Sequence, residues 1–187
     1  MLTQVIFFVG DRFILLSFIQ CNMPKKVAII YASRRGGTQL FVERLQKELG
    51  ADHCELFDLK ANPSPDIAPG TIRVLGGPVY AGNMLEDVKK YCESHEQALL
   101  QCRLALFMCG MNEPAFAEQL KNAFPEKLQQ HAFCVKAVGG AFNFERLNWF
   151  ERFLVKRISG VKKSTVHYLE DNIEVLVSAV KAEMNRP

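Results

Sequence analysis

The sequence has no Cys-x-x-Cys pair. Its six cysteines, Cys21, Cys54, Cys92, Cys102, Cys109 and Cys134, are scattered. That spacing argues against a zinc ribbon and against a disulfide framework, and leaves buried or free thiols in a reducing cytoplasm as the simpler account. Four histidines (His53, His95, His131, His167) show no ligand spacing, so no metal centre is expected. Charge of one sign is also scarce. A formal net charge of +3 is too small to argue for a nucleic-acid partner. No apolar run reaches the ~20 residues of a membrane span. Residues 1–22 come nearest, but Gly10-Asp11-Arg12 divides their apolar stretches at 5–9 and 13–19. No basic segment precedes them and no small-residue cleavage site follows, so they do not read as a signal peptide. Met23-Pro-Lys-Lys-Val27 has the form of a start placed just before a core strand. Residues 1–22 are therefore read as an upstream extension, either from a mis-called start codon or as a short amphipathic or β-paired tail. Residues 23–187 are then the folded domain.

What remains is enough for one domain with a real core: 187 residues, 49% of them hydrophobic. From residue 23 onward strands and helices alternate. Short apolar strands are expected at 27–31, 53–59, 72–75, 104–108 and 132–138. Helices are expected at 38–49, from 85 to 91, at 115–124, at 147–158 and at 171–184. Asn62-Pro-Ser-Pro-Asp66 and Pro69-Gly70 carry turn chemistry. Five apolar strands separated by helices imply a doubly wound α/β fold, a five-stranded parallel sheet with helices on both faces; right-handed crossovers limit the topologies, and the order 2-1-3-4-5 is the one adopted here. Ligands in such sheets bind beyond the carboxyl ends of the strands, where the order reverses.

Three strand ends carry glycine, and that order makes them neighbours. After the first strand comes Tyr31-Ala-Ser-Arg-Arg-Gly-Gly-Thr38. A hydroxyl- and glycine-rich turn opening a helix points backbone N–H groups at an anion, and the helix dipole favours it. Ser33 and Thr38 add hydroxyls, Arg34 and Arg35 add charge, and Gly36 and Gly37 let the backbone come close. Thr38 as an ordinary helix N-cap is the bland alternative. The loop has neither the Gly-Lys-Ser/Thr ending of a nucleoside-triphosphate loop nor a Gly-x-Gly-x-x-Gly dinucleotide fingerprint. It suits one phosphate monoester, such as that of FMN, better than a pyrophosphate. The second loop is Gly76-Gly77-Pro78-Val79-Tyr80-Ala81-Gly82-Asn83, where Tyr80 is the natural group to stack on a planar ring and the glycines clear space. Cys109-Gly110-Met111-Asn112 would close the other side, with Asn112 equally explicable as a helix cap.

On these residues the chain resembles the flavodoxin fold over about residues 27–184. More narrowly it is similar to the flavodoxin-domain family that includes the quinone-dependent protoporphyrinogen IX dehydrogenase of bacteria. The family's phosphate loop, Ser-Thr-Arg-x-Gly-x-Thr, is matched at Ser33, Arg34, Gly36 and Thr38. Gly139-Gly-Ala-Phe-Asn-Phe-Glu-Arg-Leu-Asn-Trp-Phe-Glu-Arg-Phe-Leu-Val-Lys156 is similar to its Trp-x-(Asp/Glu)-Arg-Phe segment. Ala32 stands where that loop usually carries a hydroxyl, and the strand-four loop lacks the enzyme's basic cluster. The resemblance implies non-covalent FMN, redox chemistry on the flavin rather than on a catalytic side chain, and electron transfer to a quinone, with porphyrinogen as a candidate substrate. A flavodoxin-type carrier serving a redox protein is the alternative, although such carriers are acidic. A flavin-free interaction module is another, to which Ala32 points. A phospho-receiver of similar topology is disfavoured, because no acidic cluster follows strand one.

Residues 142–163 interleave Phe142, Phe144, Leu147, Phe150, Phe153, Leu154 and Ile158 with Arg146, Arg152, Lys156, Arg157, Lys162 and Lys163, against Glu145 and Glu151. An apolar face beside a basic one suits an interfacial helix on an anionic leaflet, each cation adding about 1 kcal/mol. A core-packing helix with a solvated basic side is the alternative. The expected location is the cytoplasm, with peripheral contact at the inner face of the cell membrane.

Overall fold

The computed structural model describes residues 3–9 and 12–18 as backbone, and residues 25–142 and 165–186. Strands β1 (Thr3–Val9) and β2 (Arg12–Phe18) form a separate antiparallel hairpin, Val9 facing Arg12.

The main sheet contains β3 (Val27–Tyr31), β4 (Cys54–Asp58), β5 (Ile72–Tyr80), a short β6 (Asn83–Met84), β7 (Leu104–Cys109), β8 (Cys134–Phe142) and β9 (Thr165–Tyr168). Its order is β4-β3-β5-β7-β8-β9, with β6 folded back on β5. The five parallel strands thus stand in the expected 2-1-3-4-5 order. The expectation of five strands alone is corrected by antiparallel β9 at the edge and by the β5–β6 hairpin.

Helices cover both faces: α1 (Gly37–Leu49), α2 (Glu86–Ser94), α3 (Glu96–Leu100), α4 (Phe116–Ala123), α5 (Glu126–His131) and α6 (Glu170–Met184). The alternation of β3 shows why there are two cores. Val27, Ile29 and Tyr31 join Phe41, Val42 and Leu45 of α1 and Ile173, Leu176 and Val180 of α6. Ala28 and Ile30 point the other way, among Val88, Leu99, Phe116 and Leu128 of α2 to α5. Both faces being covered, β3 is buried at every position and reads as a continuous apolar run. Arg44 ties α1 to α6 by a two-bond grip on the Glu170 carboxylate at 2.9 and 2.6 Å.

Two strands run further than expected. Gly76, Gly77 and Pro78 lie inside β5 and pair with Phe107, Met108 and Cys109, so this stretch is strand rather than loop. Gly139 and Gly140 likewise continue β8 and pair with Tyr168 and His167. Glycine has low strand propensity, but here its lack of a side chain lets neighbours close in: a Cβ on Gly76 would overlap Phe107. The helix expected at 147–158 lies outside the described residues. Among the described residues no helix is long and apolar enough to cross a membrane.

Candidate functional site

The turn from β3 into α1 is built by its small residues. Gly36 occupies the helix N-cap at φ 80°, a left-handed conformation that glycine adopts without strain. Its N–H donates to Ser33 Oγ at 3.1 Å, closing the turn. Gly37 follows, placed so tightly against the Ala141 carbonyl that any Cβ there would overlap it. No side chain caps α1 and no acidic residue stands in its first turn. The helix therefore presents the N–H groups that every α-helix leaves without internal partners, in a positive field with no fixed counter-charge.

Thr38 is the second residue of α1, so it is not the N-cap. It is 2% exposed, and among the described residues its hydroxyl has no hydrogen-bond partner of acceptable geometry. A buried, unsatisfied hydroxyl costs on the order of 1–3 kcal/mol and calls for an explanation. The Cys109 thiol lies against it. Burial pushes that thiol up to about 12, and the neighbouring Thr38 hydroxyl acts in the opposite, lesser direction.

A cleft of about 480 Å³ opens at this point, between the carboxyl ends of β3, β5, β7 and β8. From the first loop come Arg35, Gly37 and Thr38; from β5 and its turn, Pro78, Val79, Tyr80, Ala81 and Gly82; from the end of β7, Cys109, Gly110, Met111 and Asn112. Those twelve residues are ones the sequence pointed to. Ser33, Arg34 and Gly36 line a neighbouring cleft instead. Gly77 lies behind the wall: a Cβ there would meet Val88 and Met84, so this glycine serves the packing of α2. Asn112 sits at the cap position of a short 3-10 turn but makes no side-chain cap bond.

Three lining residues had no sequence signal assigned to them: Gln119 on α4, and Gly140 and Ala141 on β8. The glycine pair at 139–140 was visible, but nothing in the pattern said that β8 would extend past it into the site. Pairing with β9 carries it there.

The turn after β5 is strained. Ala81 (φ 48°) and Gly82 (φ 82°) both have positive φ, as a two-residue hairpin loop of the primed type requires. Alanine at such a φ costs about 1 kcal/mol or more, and strain of this kind concentrates at ligand sites. Asn83 Nδ2 donates to the Ala81 carbonyl at 3.2 Å and helps hold the turn. Tyr80, at the base of the turn, faces the Arg34 and Arg35 guanidiniums, 6.0 and 5.4 Å from its ring centre. Across the cleft Met111 is 46% exposed. Among the described residues no carboxylate lines the cleft. Its volume is within the range of cofactor sites, and its chemistry suits an anionic group at one end and an apolar planar body at the other.

The model of the Flavodoxin domain family matches residues 28–167. A search of curated proteins finds no match. Among solved structures, rubredoxin oxygen:oxidoreductase from Desulfovibrio gigas is similar at 16% identity and TM-score 0.46, over 88% of this chain and 36% of that one. The flavodiiron protein from Giardia intestinalis is similar at 15% identity and TM-score 0.43, over 89% of this chain and 39% of that one. The chain thus spans little more than a third of the length of these proteins. A short-chain flavodoxin associated with a non-canonical PDU bacterial microcompartment is similar at 18% identity and TM-score 0.35, over 72% of this chain and 99% of that one.

Proposed function

Because the chain belongs to the flavodoxin domain family, we propose that it is an FMN-dependent oxidoreductase, passing electrons from a reduced organic substrate through the flavin to a quinone. Membership makes it a flavin-binding redox protein with FMN as cofactor. The observation that carries the reading is the buried Thr38 hydroxyl, unsatisfied beside an uncapped, acid-free helix N-terminus in a cleft of cofactor size. The FMN phosphate is an anion with the acceptors that this hydroxyl and these N–H groups lack.

When bound, FMN supplies the electron-transfer chemistry itself. The chain's residues bind and orient it. The first turn of α1, with Thr38, would hold the phosphate, and Arg35 would add a charge from the rim. Tyr80 and Met111 would wall the ring, and the amides of the 80–82 and 110–112 turns would meet its polar edge. Ala81, held at positive φ, fixes where those amides point. Cys109, buried and kept protonated, stays out of the chemistry and packs the floor. No general acid or base is needed among the lining side chains.

The finer parts of the proposal rest on the sequence. The 139–156 stretch resembles the segment of the porphyrinogen-oxidising enzymes and supports porphyrinogen as substrate. The aromatic and basic residues of 142–163 support contact with an anionic membrane surface, where quinones reside. These residues lie outside those described beyond Phe142.

The first test is a titration of the protein with FMN, read by quenching of flavin fluorescence. Saturable one-to-one binding is expected, and absence of binding overturns the reading. The second is turnover: reduced, FMN-loaded protein should be reoxidised repeatedly by menaquinone analogues. Failure with every quinone, together with rapid exchange with a ferredoxin-type partner, would make it a carrier. Lys156→Glu with Arg157→Glu should lower binding to anionic liposomes and leave FMN affinity unchanged. Wild type that ignores such liposomes removes the membrane part.

A further inference from the structure

A second cleft, of about 590 Å³, lies on the other side of the phosphate loop, between the carboxyl ends of β3 and β4. Its lining includes Ser33, Arg34, Arg35, Asp58 and Lys60. Arg35 borders both clefts. Among the described residues, three cationic side chains and one carboxylate line a space larger than a single phosphate needs. Neither Arg34 nor Lys60 is held in an ion pair among the described residues. An arginine that is not tied to a carboxylate offers a two-pronged donor to a phosphate.

The carboxylate has a defined place. Asp58 is the last residue of β4 and pairs in register with Tyr31, the last residue of β3. The Leu59 N–H donates to the Tyr31 carbonyl at 2.8 Å, which fixes the chain as it leaves the sheet. One Asp58 oxygen, Oδ1, accepts the Lys60 N–H at 3.0 Å. That bond orients the carboxylate and leaves its other oxygen to accept from a ligand. In doubly wound sheets whose first strand ends in a Gly-x-Gly-x-x-Gly loop, an acidic residue some 20 residues on takes a ribose hydroxyl. Asp58 has the same place, at the end of the neighbouring strand, beside a Gly36-Gly37 turn that lacks that fingerprint.

We propose that this cleft binds the ribose-phosphate portion of an adenine nucleotide, with Asp58 accepting from the ribose and Arg34 and Lys60 holding the phosphate. The proposal rests on the flavin reading for its meaning, since it puts a nucleotide beside the cofactor's own phosphate. The nucleotide has two sources of the same chemistry. It arrives joined to the flavin, as the adenylate half of FAD, or separately, as the adenylate end of a nicotinamide dinucleotide.

The test separates these sources. The protein freed of flavin is titrated with FMN and with FAD, and the FMN-loaded protein with ADP-ribose by calorimetry. An advantage of about tenfold for FAD over FMN supports the joined source, and saturable ADP-ribose binding supports the separate one. In either case Asp58→Ala and Lys60→Gln are each expected to weaken the adenylate-dependent binding about tenfold, with FMN affinity unchanged. Lys60→Gln leaves the Asp58–Lys60 backbone bond in place, so it reports even where Asp58→Ala disturbs the turn. Equal affinity for FAD and FMN with no ADP-ribose binding overturns the proposal, as does binding that neither variant alters. Failure of FMN itself to bind is read separately and overturns the flavin reading, while ADP-ribose is then titrated against the flavin-free protein.

Discussion

At the scale of single residues, Thr38 is the informative one. Among the described residues its hydroxyl meets only the Cys109 thiol and has no hydrogen-bond partner of good geometry, yet it is buried where a nonpolar residue would pack more cheaply. Thr38→Val replaces the hydroxyl by a methyl of similar shape. We expect flavin-free protein to be as stable as wild type or slightly more so, because an orphaned polar group is removed. FMN affinity should fall by about 1.5–3 kcal/mol, the range for a hydrogen bond to a charged group. Chemical denaturation and fluorescence titration of the same variant read the two effects apart. The cysteines make a different prediction. Burial pushes the thiols of Cys109 and Cys92 up to about 12 and that of Cys54 up to about 11. The folded state then holds these protons to higher pH than the unfolded chain does. Their contribution is complete below the ordinary thiol value near 9.0 and is lost as pH rises from there toward 12. Urea midpoints measured from pH 8 upward should fall across that window, and a flat profile would count against buried neutral thiols.

At the scale of elements, the edge of the sheet shapes the cleft. Gly139 has φ 76°, and a Cβ on it would overlap the His167 carbonyl of β9. Gly139→Ala therefore combines backbone strain with a clash, and should cost about 1–3 kcal/mol. The loss should be concentrated in β9, as faster hydrogen exchange at the Thr165–Tyr168 amides. This element also marks a limit of sequence reading. Helix α1 was legible because Phe41, Leu45 and Leu49 recur on one face and Gly50 follows. Strand β9, of four residues, carries no comparable period, and its existence is decided by the open edge of β8. The β5–β6 hairpin escaped for a related reason. Ala81-Gly82 is not one of the common two-residue turn pairs, and alanine takes its positive φ only because the flanking strands impose it.

At the scale of the whole molecule, the main sheet and both cores begin at β3 among the described residues, and the β1–β2 hairpin is a sheet of its own. A chain that starts at Met23 is expected to keep the circular dichroism spectrum, the urea midpoint and the FMN affinity of the full chain, the latter two within error. A midpoint lowered by more than about 1 kcal/mol, a large share of a domain's net stability, would show that the hairpin contributes to the fold. Intact mass of natively expressed protein tests separately whether residues 1–22 are an artefact of the start codon.

The amino-acid order alone determined the alternation of apolar strands and amphipathic helices, and right-handed crossovers then left few strand orders. It also determined the chemistry of the loop from Ser33 to Thr38, because glycines, hydroxyls and arginines between strand and helix are local signals. Tertiary structure decided what those local signals cannot contain. It buried Thr38 with its hydroxyl poorly satisfied among the described residues, turned Gly77 toward α2 and away from the cleft, brought Gly140 and Ala141 into it, and set Asp58 beside the phosphate loop. Each of these depends on which strands lie side by side and how far they run, and such contacts join residues distant in sequence that no local pattern relates.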